Sequence, residues 1–220
     1  MRKERLSTTS NSLPPVSGGC VIGVTGGIAC GKSEVGRILA EAGVAVRDAD
    51  AIAHDVMAPD GAAYEAVCAR FGREILRADG HIDRRRLGAR VFSDPAALAD
   101  LNRLVHPAVR KIWRDWLSAQ RAGSAWSALI VPLLFEVGAE QEMDVVIGVV
   151  APEARVRERL QRRGLSPLDA ARRIAAQWPV AEKMRRADVV IENAGSLEDL
   201  ERRTLDVLNT MVKKERAHHG

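Results

Sequence analysis

Residues 20–50, CVIGVTGGIACGKSEVGRILAEAGVAVRDAD, carry the strongest structural signal in this chain. An apolar run at Cys20–Thr25 predicts a buried strand, and a second short run follows at Val44–Arg47. Between these runs, apolar side chains recur with helical spacing, and Gly43 is placed to end the helix. The segment therefore predicts a strand–helix–strand unit with a right-handed crossover between parallel strands.

The turn between the first strand and the helix has the spacing of a phosphate-binding loop, GxxxxGK[ST]. Its glycines let successive backbone N–H groups point inward around an anion, Lys32 reaches the β- and γ-phosphates, and the Ser33 hydroxyl is placed to ligate Mg²⁺. An ordinary glycine-rich turn is the alternative, but the flanking strand and helix favour nucleotide binding. The predicted nucleotide-binding residues are Gly26, Gly27, Ile28, Ala29, Cys30, Gly31, Lys32, Ser33 and Glu34.

Two aspartates, Asp48 and Asp50, follow the second predicted strand. Ligands of open α/β sheets bind beyond the carboxyl ends of the strands, so both carboxylates are expected beside the phosphate loop. Aspartate also caps helices, and for Asp48 a capping role and a catalytic role are equally open. For Asp50 a functional role is favoured, because phosphoryl transfer needs a group that orients the nucleophile as much as a base. Asp50 and Ser33 together form the predicted metal site.

Three further apolar runs, Ala128–Leu133, Val145–Val150 and Val189–Glu192, predict a sheet of five strands. These runs are continuous rather than alternating, which indicates parallel strands covered on both faces. Helical patterns fill residues 51–126 and the arginine-rich residues 153–187, which lie between strands. The chain is therefore predicted to adopt a three-layer α/β fold of the P-loop NTPase type, with two helical insertions.

Composition limits the classes of function. The 220 residues include 46% hydrophobic and 28% charged side chains, and the net charge of +4 suits anionic ligands but is too small to indicate nucleic-acid binding. No apolar run approaches the roughly 20 residues of a membrane span. The three cysteines match no metal or disulfide pattern, so reduced thiols and a cytoplasmic location are expected. Residues 1–19 lack the apolar stretch of a secretory signal and are predicted to be a disordered tail.

An ordered set of short motifs over residues 20–195 resembles the dephospho-CoA kinase family. The motifs are Thr25–Ile28 with Gly31–Ser33, Asp48–Asp50 with Ile52–His54, Phe71–Gly72, Asp79–Gly80 with Asp83–Arg84, Leu101–Asn102 with His106–Pro107, Pro132–Glu136, Arg173–Ile174 with Gln177, and Ala187–Asp188 with Asn193–Gly195.

This resemblance implies that ATP and Mg²⁺ are used to phosphorylate the ribose 3′-hydroxyl of dephospho-CoA. It also implies a three-part architecture of a nucleotide-binding core, a helical substrate subdomain and a mobile lid. Separately, the chain is expected to be a monomer or weak homo-oligomer. The core would be residues 20–50, 127–152 and 188–203, the substrate subdomain 51–126 and the lid 153–187, with a C-terminal helix and tail at 204–220. By the same resemblance, Asp50 is the base, Lys32 and Ser33 contact the phosphates and metal, and the acceptor is bound by Thr25, Asp48, Asp50, His81, Leu134, Phe135 and Glu136.

The predicted lid carries arginines at helical spacing. Arg155, Arg159 and Arg163 recur every four residues, and Arg173 shares a face with Gln177. Such a face is either a solvated basic surface or a source of guanidinium groups for the phosphates of ATP. Arg159 and Arg173 are the predicted catalytic arginines of this set.

Three positions depart from the pattern of the family. Ala29 replaces a glycine of the loop, so its backbone angle must tolerate a Cβ atom, and Glu34 puts a negative charge in place of a threonine at the start of the helix. Arg47 replaces an apolar residue before the acidic pair. Another small-molecule or nucleoside monophosphate kinase remains the alternative enzyme. A nucleotide-dependent switch is disfavoured, because the chain contains no Asn-Lys-x-Asp segment that would bind guanine.

Overall fold

The computed structural model describes Leu13 and residues 19–175 and 177–218. The tail predicted for residues 1–19 therefore lies outside the described residues, except for Leu13 and Gly19. Leu13 packs against the core that contains Val35, Ile38 and Leu39.

Five parallel strands form one sheet in the order β2-β3-β1-β4-β5, which confirms the predicted α/β fold. The third strand differs from its prediction, since it begins at Trp126, paired with Cys20, and ends at Ile130 rather than Leu133. Pro132 follows and has no N–H to donate to a strand ladder. The strands are β1 (Cys20–Gly26), β2 (Ala45–Asp48), β3 (Trp126–Ile130), β4 (Val145–Val150) and β5 (Val189–Glu192).

Nine α-helices join these strands within the described part of the chain. They are α1 (Lys32–Glu41), α2 (Ala49–Val56), α3 (Tyr64–Phe71), α4 (Arg84–Val91), α5 (Pro95–Ala122), α6 (Glu153–Arg162), α7 (Pro167–Ala175), α8 (Val180–Arg186) and α9 (Leu197–His218). Within the described ranges, no helix is long and apolar enough to cross a membrane.

The two faces of the sheet are covered by different helices because strand side chains alternate in direction. In β1, Ile22 and Val24 belong to the core that contains α1 and α9, whereas Val21 belongs to the core that contains α2, α3, α4 and α5. This three-layer arrangement agrees with the prediction from continuous apolar runs.

The expected subdomain borders coincide only partly with the packing. No described residue of α7 is buried, whereas α8, also within the expected lid, contributes the buried Lys183 and packs on β1 and β4. The border expected after residue 203 falls inside α9, whose Leu208 and Val212 remain in the core beside α1. The C-terminal helix is thus continuous with the core rather than an appendage.

Candidate active site

The phosphate loop, Gly26–Ser33, turns sharply between β1 and α1. Gly26 has φ 146°, and a Cβ atom there would lie 2.1 Å from the carbonyl oxygen of Val149. Gly31 has φ 109°, and a Cβ atom would lie 2.2 Å from Nδ2 of Asn193. Both positions therefore require glycine, because the loop passes close to the ends of β4 and β5.

Lys32 is the first residue of α1, and its ammonium group folds back over the loop. Its Nζ donates to the carbonyl oxygens of Gly26 at 3.1 Å and Gly27 at 2.8 Å. Burial lowers the pKa of Lys32, and the nearby Asp50 carboxylate acts in the opposite direction. The loop thus places a partly desolvated cation beside its backbone N–H groups, as an anion site requires.

The side chain of Asn193, which follows β5, holds the phosphate loop in place by hydrogen bonds. Its Nδ2 donates to the carbonyl oxygen of Cys30 at 2.9 Å, and its Oδ1 accepts from Arg159 at 3.3 Å. Arg159 also donates to the carbonyl oxygen of Ala29 at 3.1 Å. The predicted set did not include Asn193, although its place at the carboxyl end of a strand would have identified it.

The three departures from the family pattern are accommodated locally. Ala29 adopts φ 55°, the left-handed conformation that a glycine would favour. Glu34 is directed along α1, where its carboxylate lies 2.6 Å from Arg37 Nη2 rather than over the loop. Arg47 is only half-buried because β2 is an edge strand of the sheet. The Cys30 thiol is buried, which raises its pKa and keeps it protonated.

Asp48 and Asp50 take different roles, because the extended chain ends where α2 begins. Asp48 caps α2, and its side chain accepts a hydrogen bond from the backbone N–H of Asp50 at 2.8 Å. Asp50 lies in the first turn of α2 and faces the loop. Desolvation by the surrounding protein is the main cause that raises the pKa of Asp50, and the negative charge of Asp48 raises it further. The positive charges of Lys32 and Arg84 lower this pKa. The two carboxylates therefore differ in their task, because Asp48 fixes the start of α2 whereas Asp50 faces the loop.

Two cavities meet at Asp50. The larger cavity, about 1080 Å³, is lined by Ile28, Ala29 and the residues from Gly31 to Glu34 of the phosphate loop and the start of α1. The smaller cavity, about 830 Å³, lies between α2, α5 and the segment after β3. Both are lined by Asp50, Asn102, Pro132 and Leu133. This arrangement can hold a phosphoryl donor and an acceptor on either side of one carboxylate.

The predicted lid arginines are only partly brought to this site. Arg159, Arg163 and Arg173 line the larger cavity, as does Gln177. Arg155 instead lies 4.0 Å from Glu158 on the exposed side of α6. The guanidinium of Arg173 stacks on Phe92, 5.2 Å from the ring centroid, which connects α7 to the end of α4.

Five of the seven residues expected to bind the acceptor line neither cavity, and one of these five is the helix cap Asp48. Thr25 is buried, and its hydroxyl donates to the Pro132 carbonyl at 3.4 Å. His81 is exposed beside Asp79 in the turn before α4. Leu134 and Phe135 are buried in the hydrophobic core. The turn after β3 directs Leu133 to the smaller cavity, together with Glu136 of the expected set.

A buried ion pair behind the cavities was not predicted. Lys183 of α8 is fully buried, and its Nζ lies 2.7 Å from Glu136 Oε1 and 2.7 Å from the Pro132 carbonyl oxygen. Glu136 Oε1 also accepts from the backbone N–H of Trp178 at 2.9 Å. The pair fixes the segment that separates the two cavities. The sequence gives no sign of it, because lysine is ordinarily exposed.

The donor set at the loop fits Mg²⁺. Ser33 is exposed at the start of α1, and both Ser33 and Asp50 line the larger cavity. In the part of the chain that the structure describes, no group of three or more His, Cys, Asp or Glu side chains could hold a metal ion. Mg²⁺ does not need such a group, since it commonly takes one or two carboxylates together with substrate phosphates and water.

The comparisons with known proteins agree with this geometry. A family profile described as dephospho-CoA kinase matches residues 20–199. A dephospho-CoA kinase from Anaeromyxobacter dehalogenans is 48% identical, with 82% of this chain and 86% of the relative covered. One from Geobacillus kaustophilus is 44% identical over 85% of this chain and 94% of the relative.

A solved structure of the dephospho-CoA kinase from Campylobacter jejuni is similar at a TM-score of 0.67 and 29% identity, covering 89% of this chain and 98% of that one. A second crystal structure, of a protein from Thermus thermophilus, gives a TM-score of 0.71 at 40% identity, with coverages of 87% and 97%.

Proposed function

The chain belongs to the dephospho-CoA kinase family, and from this premise we propose that it transfers the γ-phosphoryl group of ATP to the ribose 3′-hydroxyl of dephospho-CoA. The products are coenzyme A and ADP, which makes this the last step of coenzyme A synthesis. The observation that carries the proposal is the position of Asp50, which lines both cavities and faces the phosphate loop.

In this reaction ATP occupies the larger cavity with its phosphates in the loop. The loop N–H groups and Lys32 bind the β- and γ-phosphates, and the positive end of α1 adds to the attraction. Ser33 and Asp50 would hold Mg²⁺, which neutralises phosphate charge when it is bound.

Asp50 positions the acceptor hydroxyl for attack. The 3′-oxygen forms a bond to the γ-phosphorus while the bond to the β–γ bridging oxygen breaks, and the hydroxyl proton passes to the Asp50 carboxylate. A carboxylate within hydrogen-bond reach suits this role, because phosphoryl transfer depends more on positioning of the nucleophile than on full removal of its proton.

Arg159 and Arg173 supply positive charge around the transferred group. Arg159 is hydrogen-bonded to the loop carbonyl of Ala29, and Arg173 is stacked on Phe92, so both guanidinium groups are held at the wall of the larger cavity. Their position on α6 and α7, between β4 and β5, supports a lid whose arginines engage when the nucleotide binds. A cytoplasmic location and a monomer or weak homo-oligomer remain predictions.

Product analysis tests the proposal. The protein is incubated with ATP, Mg²⁺ and, separately, dephospho-CoA or a nucleoside monophosphate, and the products are identified by mass spectrometry. We expect coenzyme A and ADP in equal amounts. Phosphorylation of a nucleoside monophosphate without conversion of dephospho-CoA would refute the assignment in favour of another kinase.

The Asp50→Asn variant tests the residue that carries the proposal. We expect kcat to fall by about 10²- to 10⁴-fold, the usual contribution of a positioned acid–base group, with the fold retained. Asp55→Asn is the matched control, because Asp55 is an exposed residue of the same helix. Near-normal turnover by Asp50→Asn would remove Asp50 from the mechanism.

A further inference from the structure

One stripe of α5 runs along the smaller cavity. Asn102, His106, Arg110 and Arg114 are spaced four residues apart, and all four line this cavity. Asn102 also lines the larger cavity. The stripe therefore begins at the junction near Asp50 and extends away from the reacting atoms, with Arg110 about 12 Å farther along the helix axis than Asn102.

The two arginines of this stripe are held by one carboxylate, Glu142. Nη2 of Arg110 lies 2.9 Å, and Nη2 of Arg114 3.1 Å, from Glu142 Oε1, while the Trp113 indole donates to Oε2 at 2.8 Å. Arg110 also donates to the carbonyl oxygen of Gly138 at 3.3 Å. Side chains fixed in this way lose less rotamer freedom when they bind a ligand.

The charges around this stripe leave a positive excess. Two guanidinium groups share one carboxylate, and the neighbouring Lys111 is paired with Asp115 at 2.7 Å. Burial raises the pKa of Glu142, but hydrogen bonds from Arg114, Trp113 and Arg110 outweigh it and hold that pKa below its usual range, so the carboxylate is ionised. Two further carboxylates line this cavity, but Glu136 is paired with Lys183, and Asp50 lies at the junction where the stripe begins. The end of the cavity at Arg110 and Arg114 therefore keeps one positive charge that Glu142 does not balance, beside an apolar wall that includes Val131 and Val137.

From this arrangement we infer that Arg110 and Arg114, positioned by Glu142, bind the diphosphate group of the acceptor, and that its pantetheine arm lies along the apolar wall of the smaller cavity. The inference rests on the proposed function. The planar, fixed donors of arginine match a diphosphate, and an apolar wall suits an uncharged aliphatic chain. The diphosphate is attached to the 5′-oxygen of the same ribose that carries the reacting 3′-hydroxyl. The residues that bind the diphosphate must therefore lie near Asp50 without touching the reacting atoms.

Steady-state kinetics on Arg110→Gln, Arg114→Gln and the double variant tests this inference. A hydrogen bond to a charged group contributes about 1.5–3 kcal/mol. We therefore expect KM for dephospho-CoA to rise about 10- to 100-fold in each single variant. The KM for ATP and the kcat at saturating acceptor should stay within about twofold of wild type, because the arginines touch neither ATP nor the reacting atoms. Arg110→Lys keeps the positive charge but loses the planar pair of N–H donors of the guanidinium group. This variant should give a KM for dephospho-CoA between those of the wild type and Arg110→Gln.

Arg103→Gln is the matched control, because Arg103 is an exposed arginine of the same helix that pairs with Asp100 and lines neither cavity. Its KM values should equal those of the wild type. The inference is overturned if the double variant changes the KM for dephospho-CoA by less than about threefold, or if the KM for ATP rises in parallel. Either result would place the diphosphate elsewhere, for example beside Arg84 and Arg85 of the larger cavity.

Calorimetric binding of dephospho-CoA to the wild type and the double variant keeps this test separate from the test of function. A wild type that binds dephospho-CoA but does not phosphorylate it refutes the proposed function alone. Equal affinity of the wild type and the double variant refutes the inference alone. A wild type without measurable affinity for dephospho-CoA refutes both.

Discussion

At the scale of single residues, Ala29 shows how the phosphate loop adopts a conformation that its sequence does not favour. The residue has φ 55°, where the Cβ atom of an L-amino acid approaches the following carbonyl oxygen. Arg159 donates to its carbonyl oxygen, and Asn193 donates to the next one, which helps to hold the loop in this shape. The strain at Ala29 is therefore offset by contacts made from α6 and the end of β5.

Replacing Ala29 by glycine should stabilise the protein. Relief of a left-handed alanine is worth about 1–2 kcal/mol, and the greater freedom of glycine in the unfolded chain opposes it by about 0.4–1 kcal/mol. We expect the free energy of unfolding in urea to rise by about 0.5–1 kcal/mol. Ala40→Gly, in the right-handed last turn of α1, should lower it by about 0.5 kcal/mol. A loss of stability in Ala29→Gly similar to that in Ala40→Gly would contradict this account of the strain.

At the scale of elements, the start of α2 sets the direction of the Asp50 side chain. Asp48 ends β2 and caps α2, so one residue both closes the strand and fixes the first helical turn. Alternation along an extended chain would have put Asp48 and Asp50 on one side, but the helix begins at Ala49 and turns Asp50 toward the loop. The cap is thus part of how the active site is oriented.

Asp48→Ala should cost about 0.5–2 kcal/mol of unfolding free energy, which is the usual value of a helix cap. It should also lower kcat, because the first turn of α2 carries Asp50. Asp94→Ala is the matched control, since Asp94 caps α5 by the same type of hydrogen bond, to Ala96 N at 2.9 Å. It should lose similar stability and keep its kcat. Urea unfolding and steady-state rates on both variants make the comparison; equal kcat values would show that the cap does not orient Asp50.

At the scale of the whole molecule, Lys183 and Glu136 join α8 to the segment between the two cavities. Lys183 is 0% exposed and Glu136 only 13% exposed, so removing either charge leaves the other desolvated. The same ammonium group also donates to Pro132, which lines both cavities. The sheet, α8 and the cavity wall are therefore connected through a single side chain.

Lys183→Met should lower the unfolding free energy by about 3–5 kcal/mol, because the Glu136 carboxylate would remain buried without its counterion. Adding Glu136→Gln should restore part of this loss. Lys111→Met is the control for an exposed pair and should cost no more than about 1 kcal/mol. Urea unfolding of the four proteins, including the wild type, measures these differences. A loss below about 1 kcal/mol in Lys183→Met would show that the pair does not hold the wall.

The sequence by itself determined the parallel sheet and the phosphate loop, because both depend on local patterns: apolar runs of strand length, and glycines at fixed distances from Lys32 and Ser33. It also put Asp50 at the ligand-binding edge of the sheet, because a residue just after a strand lies there. The predicted end of β3 was wrong, and Leu134 and Phe135 lie in the hydrophobic core, since a turn decides which of several adjacent side chains faces a cavity. Only the tertiary structure paired Lys183 with Glu136, joined Asn193 to the loop and gathered Arg110, Arg114 and Glu142 beside the smaller cavity. These residues lie far apart in the chain, and their pairing depends on burial and on distances that are set only when the helices pack on the sheet.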